Sequence, residues 1–422
     1  MKSNVGRLSL MMFLQYAVWG AWLPLAARYL TAGTAEGGLG FTGTQMGTIL
    51  GLAGSIGAIA SPFIAGQLAD RHFSTERFLA ALLAIGGVIK WMTASQTSFQ
   101  AWLWLSILYS LVYMPTLALS NSMAFANLGD RDREFPKVRV WGTIGWIAAS
   151  WIFPMIYLQT GLHLQAMPPF LVGPELPNVT ARLAESLRFS ALISWGYAAF
   201  CLTLPHTLPK KDALEKLAFK KAFGLLSERS FLVLVLASLP ISVIHQVYFL
   251  QTSPFFTHLG LSASQIGPAM TIGQFSEIAI MALLGGMLAR LGFRTVITIG
   301  AAAYFVRYFI WSMTSLPVWV LVASQFLHGI CYACFFAGAY IYTDRVAPAD
   351  VRHSAQTVFG IIILGGGPVL GGLLSGWLAD TYAQTGGVVD YGALWRVVSL
   401  IGLAAAVFFW TMFRERKAAP AA

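Results

Sequence analysis

The stretch PHTLPKKDALEKLAFKKAFGLLSERS, residues 205–230, separates two apolar halves of this 422-residue chain. It is the longest polar and basic segment in a sequence that is 57% hydrophobic and only 10% charged. Because a soluble domain carries about 25% charged residues, this chain has too little charge to cover a surface in water. Lipid is therefore the expected solvent, and 205–230 is expected to be a cytoplasmic linker between two membrane-embedded halves.

The apolar runs on both sides of this linker are long enough to cross the hydrocarbon core, which takes about 20 helical residues. They predict an all-α integral membrane protein of twelve transmembrane helices in two six-helix bundles. The N-terminal bundle is predicted at 1–205, the linker at 206–229 and the C-terminal bundle at 230–422. The predicted spans are 8–31, 44–69, 78–96, 100–127, 138–159 and 187–205, then 230–257, 264–290, 295–314, 317–343, 354–380 and 393–413.

The basic residues predict the orientation of these helices. With both termini in the cytoplasm, most of the 27 Lys and Arg residues fall on the cytoplasmic side, as the positive-inside rule expects. The same distribution argues that the net charge of +10 reflects membrane topology and not nucleic-acid binding. The residues that fall elsewhere are Arg28, Lys90, Arg182, Arg188, Arg307 and Arg396.

Two sets of six helices joined by a basic loop match the major facilitator architecture, in which the substrate site lies between the two sets near the membrane midplane. GQLADR at 66–71 resembles the cytoplasmic loop motif of that superfamily, and GMLAR at 286–290 occupies the equivalent place in the second half. Asp70 and Arg71 are predicted to act in gating, and Asp344 near the end of the tenth helix likewise. The alternative for the motif is a plain topogenic loop.

An acidic residue lies near the middle of the predicted eighth helix. Glu277 and Gln274 are three residues apart and share a helix face. An ionisable group inside the membrane is costly and suggests function, and desolvation disfavours the charged form of a carboxyl group. We therefore expect Glu277 to bind and release a proton during transport. A structural hydrogen bond to a neighbouring helix is the alternative.

The fifth helix carries a cation, a hydroxyl and an aromatic ring on one stripe. Arg139, Thr143 and Trp146 stand at positions i, i+4 and i+7. This combination suits a polar, ring-shaped ligand. For Arg139 alone, a topogenic role is the alternative.

Further aromatic and amide side chains in the helices are typical of the wall of a site for a sugar or a base, with helix packing as the alternative for each. Arg307, in the ninth helix, is expected to be structural, and Lys90 is expected to extend towards the membrane surface. The substrate-binding candidates are Gln15 and Trp19 in the first helix, Tyr113 and Asn121 in the fourth, Gln246 and Phe249 in the seventh, and His328 and Tyr332 in the tenth.

Several of these stretches resemble the bacterial nucleoside:proton symporter family, a branch of the major facilitator superfamily. The resemblance runs through most of the chain, and the segment RVWGTIG at 139–145 is its most specific part. The other stretches are FLQYAVWGAWL at 13–23, YMPTL at 113–117, FP at 135–136, QFSE at 274–277 and SAQ at 354–356.

The resemblance implies that the family's nucleoside-site residues fall on Arg139, Thr143, Gln246, Gln274 and Glu277, with Trp146 replacing a phenylalanine. The chain also departs from the family pattern. The family's seventh-helix asparagine falls on Phe249, a tenth-helix tyrosine on His328, the next phenylalanine on Tyr332 and a membrane aspartate on Ala333. Glu277 is then the main expected proton carrier, with His328 as a helper.

We therefore predict a proton-coupled nucleoside importer of the bacterial inner membrane that is not an enzyme. It is expected to be a monomer in the lipid bilayer that uses no cofactor and no metal, because the proton gradient supplies the energy. A transporter of a sugar or another small polar metabolite is the main alternative. A membrane enzyme would need a Ser/His/Asp set, a metal-ligand cluster or a phosphate loop, none of which the sequence shows. A sensor without transport is the third alternative.

Overall fold

The computed structural model describes residues 4–64, 74–129, 131–164, 171–207, 224–348, 352–384 and 388–415, and these are almost entirely helical. The helices of the first part are α1 (Val5–Gly20), α2 (Leu23–Thr31), α3 (Gly43–Gly47), α4 (Gly54–Ile64), α5 (Thr75–Thr93), α6 (Phe99–Asn127), α7 (Arg131–Tyr157), α8 (Val179–Arg182) and α9 (Glu185–Cys201). Those of the second part are α10 (Arg229–His258), α11 (Ala263–Ser312), α12 (Val318–Ala323), α13 (Leu327–Ile330), α14 (Gly338–Val346), α15 (Arg352–Gly360), α16 (Gly367–Thr381) and α17 (Tyr391–Met412).

Short segments of other geometry interrupt or connect these helices. Strands β1 (His163–Leu164) and β2 (Leu171–Val172) pair antiparallel between α7 and α8. The 3₁₀ turns are Thr34–Glu36, Leu225–Ser227 and Ser324–Phe326, and the π-helical stretches are Thr48–Ala53, Cys331–Ala337 and Ile361–Gly366.

Within the described residues, eight helical stretches are long and apolar enough to cross a membrane. One of them, Ala263–Ser312, runs for 50 residues, which is too long for a single crossing. It bends at Gly292, whose backbone has φ 74° and ψ 165°. This conformation is open almost only to glycine, and it falls between the predicted spans 264–290 and 295–314. The multi-pass membrane character predicted from composition is confirmed.

The chain divides into two compact units. The first contains Met1–Ala213 and Phe249–Thr271, and the second contains Leu214–Tyr248 and Ile272–Ala422. Two of the unit boundaries, after Tyr248 and after Thr271, therefore fall inside the helices α10 and α11.

Close contacts between α1 and α7 hold the first unit together. A Cβ atom added to Gly20 would lie 2.6 Å from the carbonyl oxygen of Trp146, and one added to Gly145 would lie 2.1 Å from that of Phe13. Both positions therefore require glycine, because side chains would push the two backbones apart. The hydrophobic effect does not drive helices to associate in lipid, so dispersion contacts between the helices stabilise the pair instead. Small residues allow the backbones to come close enough to make those contacts.

A similar contact joins α4 to α6. The amide of Gly57 donates to Ser110 Oγ (3.1 Å), and this hydroxyl donates to the carbonyl of Ala53 (2.7 Å). The serine thus makes hydrogen bonds across the helix pair where a glycine lets the backbones meet.

The second unit also contains a close glycine contact and a serine hydrogen bond between helices, and it has an aromatic core. Gly367 of α16 packs against Ser242 of α10, whose hydroxyl donates to the carbonyl of Ile363. The buried ring of Trp311 packs edge-on against Trp395 with centroids 4.7 Å apart. Its Nε1–H donates to the Ser324 hydroxyl (2.8 Å), so the polar atom of this buried ring is satisfied.

Lys90 does not extend to the membrane surface, and the expectation that it does is wrong. Its side chain is only 3% exposed. The Nζ atom lies 3.1 Å from the centre of the Trp22 ring and 4.0 Å from that of Tyr109. Attraction between the ammonium group and the two ring faces accounts for its burial.

Replacing Gly145 with alanine is expected to destabilise the first unit, because the new Cβ would overlap the Phe13 carbonyl. Overpacking of this kind costs about 1–3 kcal/mol. The measurement is the midpoint of thermal unfolding of the purified protein. Gly196→Ala in α9 is the matched control, since a Cβ there has no neighbour within 4 Å. Equal midpoints for the two variants would contradict the close packing of α1 on α7.

Candidate functional site

A buried hydrogen-bond network links α1 to α6 in the first unit. The side chain of Gln15 is fully buried, and its Nε2 donates to Thr116 Oγ1 (2.8 Å). The hydroxyl of Tyr113 donates to the backbone carbonyl of Gln15 (2.6 Å). The structure therefore brings together Gln15 and Tyr113, two predicted binding residues, and Thr116 completes the network. The Oε1 atom of Gln15 is enclosed and has no hydrogen-bond partner among the described residues.

An aromatic wall extends from this network. Trp19 meets Tyr113 edge-on with ring centroids 6.1 Å apart, and it meets Trp146 of α7 at 5.8 Å. Trp146 in turn contacts Phe249, with centroids at 6.3 Å. Four predicted residues from α1, α6, α7 and α10 therefore form one surface. We call Gln15, Trp19, Tyr113, Trp146 and Phe249 the first-unit cluster.

The cation of the predicted α7 stripe also lies against α1. The guanidinium carbon of Arg139 is 4.4 Å from the centre of the Tyr16 ring, and the side chain is partly exposed. Thr143 is also partly exposed, one turn further along α7. Both side chains are thus partly accessible near the aromatic wall, which is compatible with a site for a polar ligand.

The second unit contains a cluster built around two histidines. The rings of His245 and His328 are nearly parallel, with centroids 5.6 Å apart, and Tyr332 lies 6.2 Å from His245. The hydroxyl of Tyr304 is 2.8 Å from Nδ1 of His245. We call His245, Arg307, His328 and Tyr332 the second-unit cluster.

Arg307, which the sequence analysis expects to be structural, also belongs to this cluster. It is fully buried and donates to His328 Nδ1 (3.0 Å) and to Gln325 Oε1. Gln325 was not predicted. The available signal was the spacing of Gln325 and His328, which are three apart and so share a helix face.

The expected proton carrier lies on the helix that packs against this cluster. Glu277 is partly buried, and a Cβ added to Gly329 would lie 2.4 Å from its backbone nitrogen. The neighbouring Ser276 hydroxyl donates to the carbonyl of Phe326 (2.6 Å). Gln274 is buried with an Oε1 atom that has no hydrogen-bond partner in the described part of the chain. An enclosed acceptor of this kind is suited to a polar ligand.

Two further predicted binding residues, Gln246 and Asn121, lie on α10 and α6. Gln246 packs against Gly371 of α16, where an added Cβ would lie 2.6 Å from the Gln246 Cβ atom. Asn121 lies on α6 beyond Thr116, and its Oδ1 atom is enclosed without a hydrogen-bond partner among the described residues. The described contacts do not bring Asn121 to the first-unit cluster.

Of the three predicted gating residues, the structure describes Asp344. Asp344, partly buried near the end of α14, accepts a hydrogen bond from Gln356 Nε2 of α15 (3.0 Å). It therefore links the tenth predicted helix to the SAQ segment at 354–356. Asp70 and Arg71 lie outside the described residues.

The chain is similar to known proteins over nearly its whole length. The family described as nucleoside H⁺ symporter matches residues 1–418. A protein of Escherichia coli K12, YegT, provisionally described as a nucleoside transporter, is 32% identical over 427 residues, which cover 98% of this chain and 94% of that protein. The nucleoside permease NupG of the same organism is 27% identical over 430 residues, with 97% and 96% covered.

The fold has a matching solved structure. The crystal structure of a mutant of the nucleoside transporter NupG superimposes with a TM-score of 0.83 at 25% identity, and the match covers 98% of this chain and 100% of that one.

The exchange Thr116→Val is expected to weaken the network between α1 and α6. Valine keeps the shape but removes the acceptor for Gln15 Nε2, and leaving a buried donor without a partner costs about 1–3 kcal/mol. Thermal unfolding measures the loss. Thr343→Val is the matched control, because Thr343 is equally buried and donates only within its own helix, to Ala339 (2.9 Å). A loss as large in the control would argue against the network.

Proposed function

Since the chain belongs to the nucleoside H⁺ symporter family, we propose that it imports nucleosides by alternating access and that Glu277 carries the coupled proton. The match over residues 1–418 is the observation that carries the assignment to proton-coupled nucleoside transport. The resemblance seen in the sequence is thereby confirmed, and the chain is a multi-pass membrane transporter and not an enzyme.

The proposal for Glu277 rests on its surroundings. It is a partly buried carboxyl group in a long apolar helix, where a charge is costly unless it serves a purpose. Protonation removes that cost, so the protonated and the charged form favour different conformations. This difference links proton binding to the transport cycle.

We propose ligand contacts for each unit by itself. In the first unit, Arg139 and Thr143 form hydrogen bonds to ribose or base edges, and the rings of the first-unit cluster flank the base. In the second unit, Gln246, Gln274 and Glu277 form hydrogen bonds, and His328 and Tyr332 line the site. The enclosed Oε1 atom of Gln274, which has no protein partner among the described residues, supports this assignment.

The finer architecture also belongs to the proposal. We propose twelve membrane helices in two sets of six, at 1–205 and 230–422, with both termini and the linker 206–229 in the cytoplasm of a bacterium and the protein in its inner membrane. The distribution of Lys and Arg supports this orientation. Asp70, Arg71 and Asp344 act in gating, the transporter works as a monomer, and the proton gradient takes the place of a cofactor.

The variant Glu277→Gln is expected to lose concentrative uptake, because a neutral amide cannot carry the proton. Labelled nucleoside is followed in liposomes with an imposed pH gradient. Exchange of labelled for unlabelled nucleoside without a gradient is expected to persist, because it needs no net proton movement. Glu36→Gln removes an exposed carboxylate and serves as the control. Accumulation by Glu277→Gln against a gradient would refute the proton-carrying role.

A transporter of a sugar or another polar metabolite remains the second proposal. The departures at Phe249 and Ala333 favour it, since the asparagine and the membrane aspartate of the family pattern are missing there. A competition assay with a labelled nucleoside separates the two. Unlabelled nucleosides are expected to displace the label and mono- and disaccharides are not, whereas displacement by sugars alone would select the alternative.

A further inference from the structure

Arg307 is a buried cation in an apolar helix. Its side chain is fully buried, and the ion pairs found among the described residues do not include it. Its guanidinium carbon lies 4.1 Å from the ring centre of Tyr248 and 4.8 Å from that of Trp311, which partly offsets the loss of water. Such a costly placement in a membrane helix suggests a function.

The hydrogen bonds of Arg307 fix the protonation state of His328. A guanidinium group only donates hydrogen bonds, so Nδ1 of His328, at 3.0 Å, must be the acceptor. The neutral ring then carries its single proton on Nε2. A second proton on Nδ1 would remove this hydrogen bond and place two cations at the same distance. His328 is therefore held as a neutral donor.

The other groups around His328 do not reverse this preference. From α10, His245 stacks on it and Tyr248 lies with its ring centroid 4.9 Å away. Cys331 and Tyr332 follow on its own helix, and Glu277 lies on the helix that packs against Gly329. Among the contacts described, the closest charge to the imidazole is the guanidinium of Arg307.

The segment 325–329, which Arg307 binds, also packs against the helix that carries Glu277. Gly273 meets the His328 side chain, where an added Cβ would lie 2.8 Å from His328 Cβ, and Gly329 meets the backbone of Glu277. A π-helical stretch begins directly after this segment, at Cys331–Ala337. Irregular turns of this type often occur at functional sites. Arg307 therefore binds two side chains of segment 325–329, and Gly329 of the same segment packs against the backbone of Glu277.

We propose that Arg307 is a positioning residue of the symporter, which keeps His328 as a neutral Nε2–H donor and fixes segment 325–329 against the turn that carries Glu277. His328 then provides a fixed hydrogen-bond donor, and the proton is carried by Glu277 alone. This inference rests on the proposed function of Glu277.

The test uses Arg307→Gln and the conservative variant Arg307→Lys in liposomes. For Arg307→Gln we expect the maximal rate of proton-driven uptake to fall about tenfold, within the usual range of coupling between sites. Nucleoside exchange without a gradient is expected to change much less. Arg307→Lys keeps the charge but not the two-armed geometry, so partial recovery of uptake is expected.

The control is Lys90→Gln. Lys90 is an equally buried cation over two aromatic rings, but no histidine lies among its described contacts. If loss of any buried cation caused the defect, this variant would show the same selective loss of proton-driven uptake. An identical ratio of driven uptake to exchange in Lys90→Gln and Arg307→Gln would overturn the proposal.

A second measurement reads the unaltered protein and does not depend on folding of the Arg307 variants. The chain has seven histidines, and ¹⁵N labelling of histidine with His328→Gln for assignment reports the ring tautomer by NMR. A neutral Nε2–H ring for His328 throughout the pH range of transport is expected. Protonation of that ring within this range would overturn the proposal.

The two possible failures are distinguishable. Concentrative uptake by Glu277→Gln would refute the proposed proton carrier whatever Arg307 does. Loss of coupling in Glu277→Gln together with unaltered coupling in Arg307→Gln would refute the positioning role alone.

Discussion

Hydrocarbon offers no hydrogen-bond partners, and this constraint governs the rest of the structure. Backbone amides and carbonyls in the membrane must be satisfied within the chain, so the described residues form helices almost throughout. Where helices meet, exclusion of water cannot stabilise the pair. Close contact between the helix backbones stabilises it instead. The glycines at 20, 145 and 367 are sites of such approach. Serine hydroxyls at Ser110 and Ser242 then add hydrogen bonds across the contacts.

The same constraint makes the polar side chains in the helices informative. A buried amide, imidazole or guanidinium has only protein or ligand as partners, so each must be accounted for. In the first unit, Gln15 is accounted for in part by Thr116. In the second unit, Arg307 is accounted for by His328, Gln325 and aromatic rings. The enclosed Oε1 atom of Gln274 has no hydrogen-bond partner among the described residues, as expected of an acceptor that binds a ligand.

The two buried cations, Lys90 and Arg307, differ in the geometry of their charged groups. Lys90 and Arg307 both lie over aromatic rings inside their units. Lys90 offers a compact charge and is held by ring faces. Arg307 offers a planar fork that binds two acceptors at fixed angles. Its two arms donate to the Nδ1 atom of His328 and to the Oε1 atom of Gln325 at the same time. Their difference in geometry therefore separates a packing role from a positioning role.

The sequence by itself determined the membrane setting, the positions of most helices and the stripe of Arg139, Thr143 and Trp146, because helix length, charge and spacing are local properties of the chain. It also identified the family through residues 139–145 and 274–277. The tertiary structure decided which faces of the helices meet. Membrane helices are apolar all round, so periodicity does not distinguish a face that contacts protein from one that contacts lipid. For this reason the burial of Lys90 and the contacts of Arg307 with Gln325 and His328 emerged only once the helices were packed.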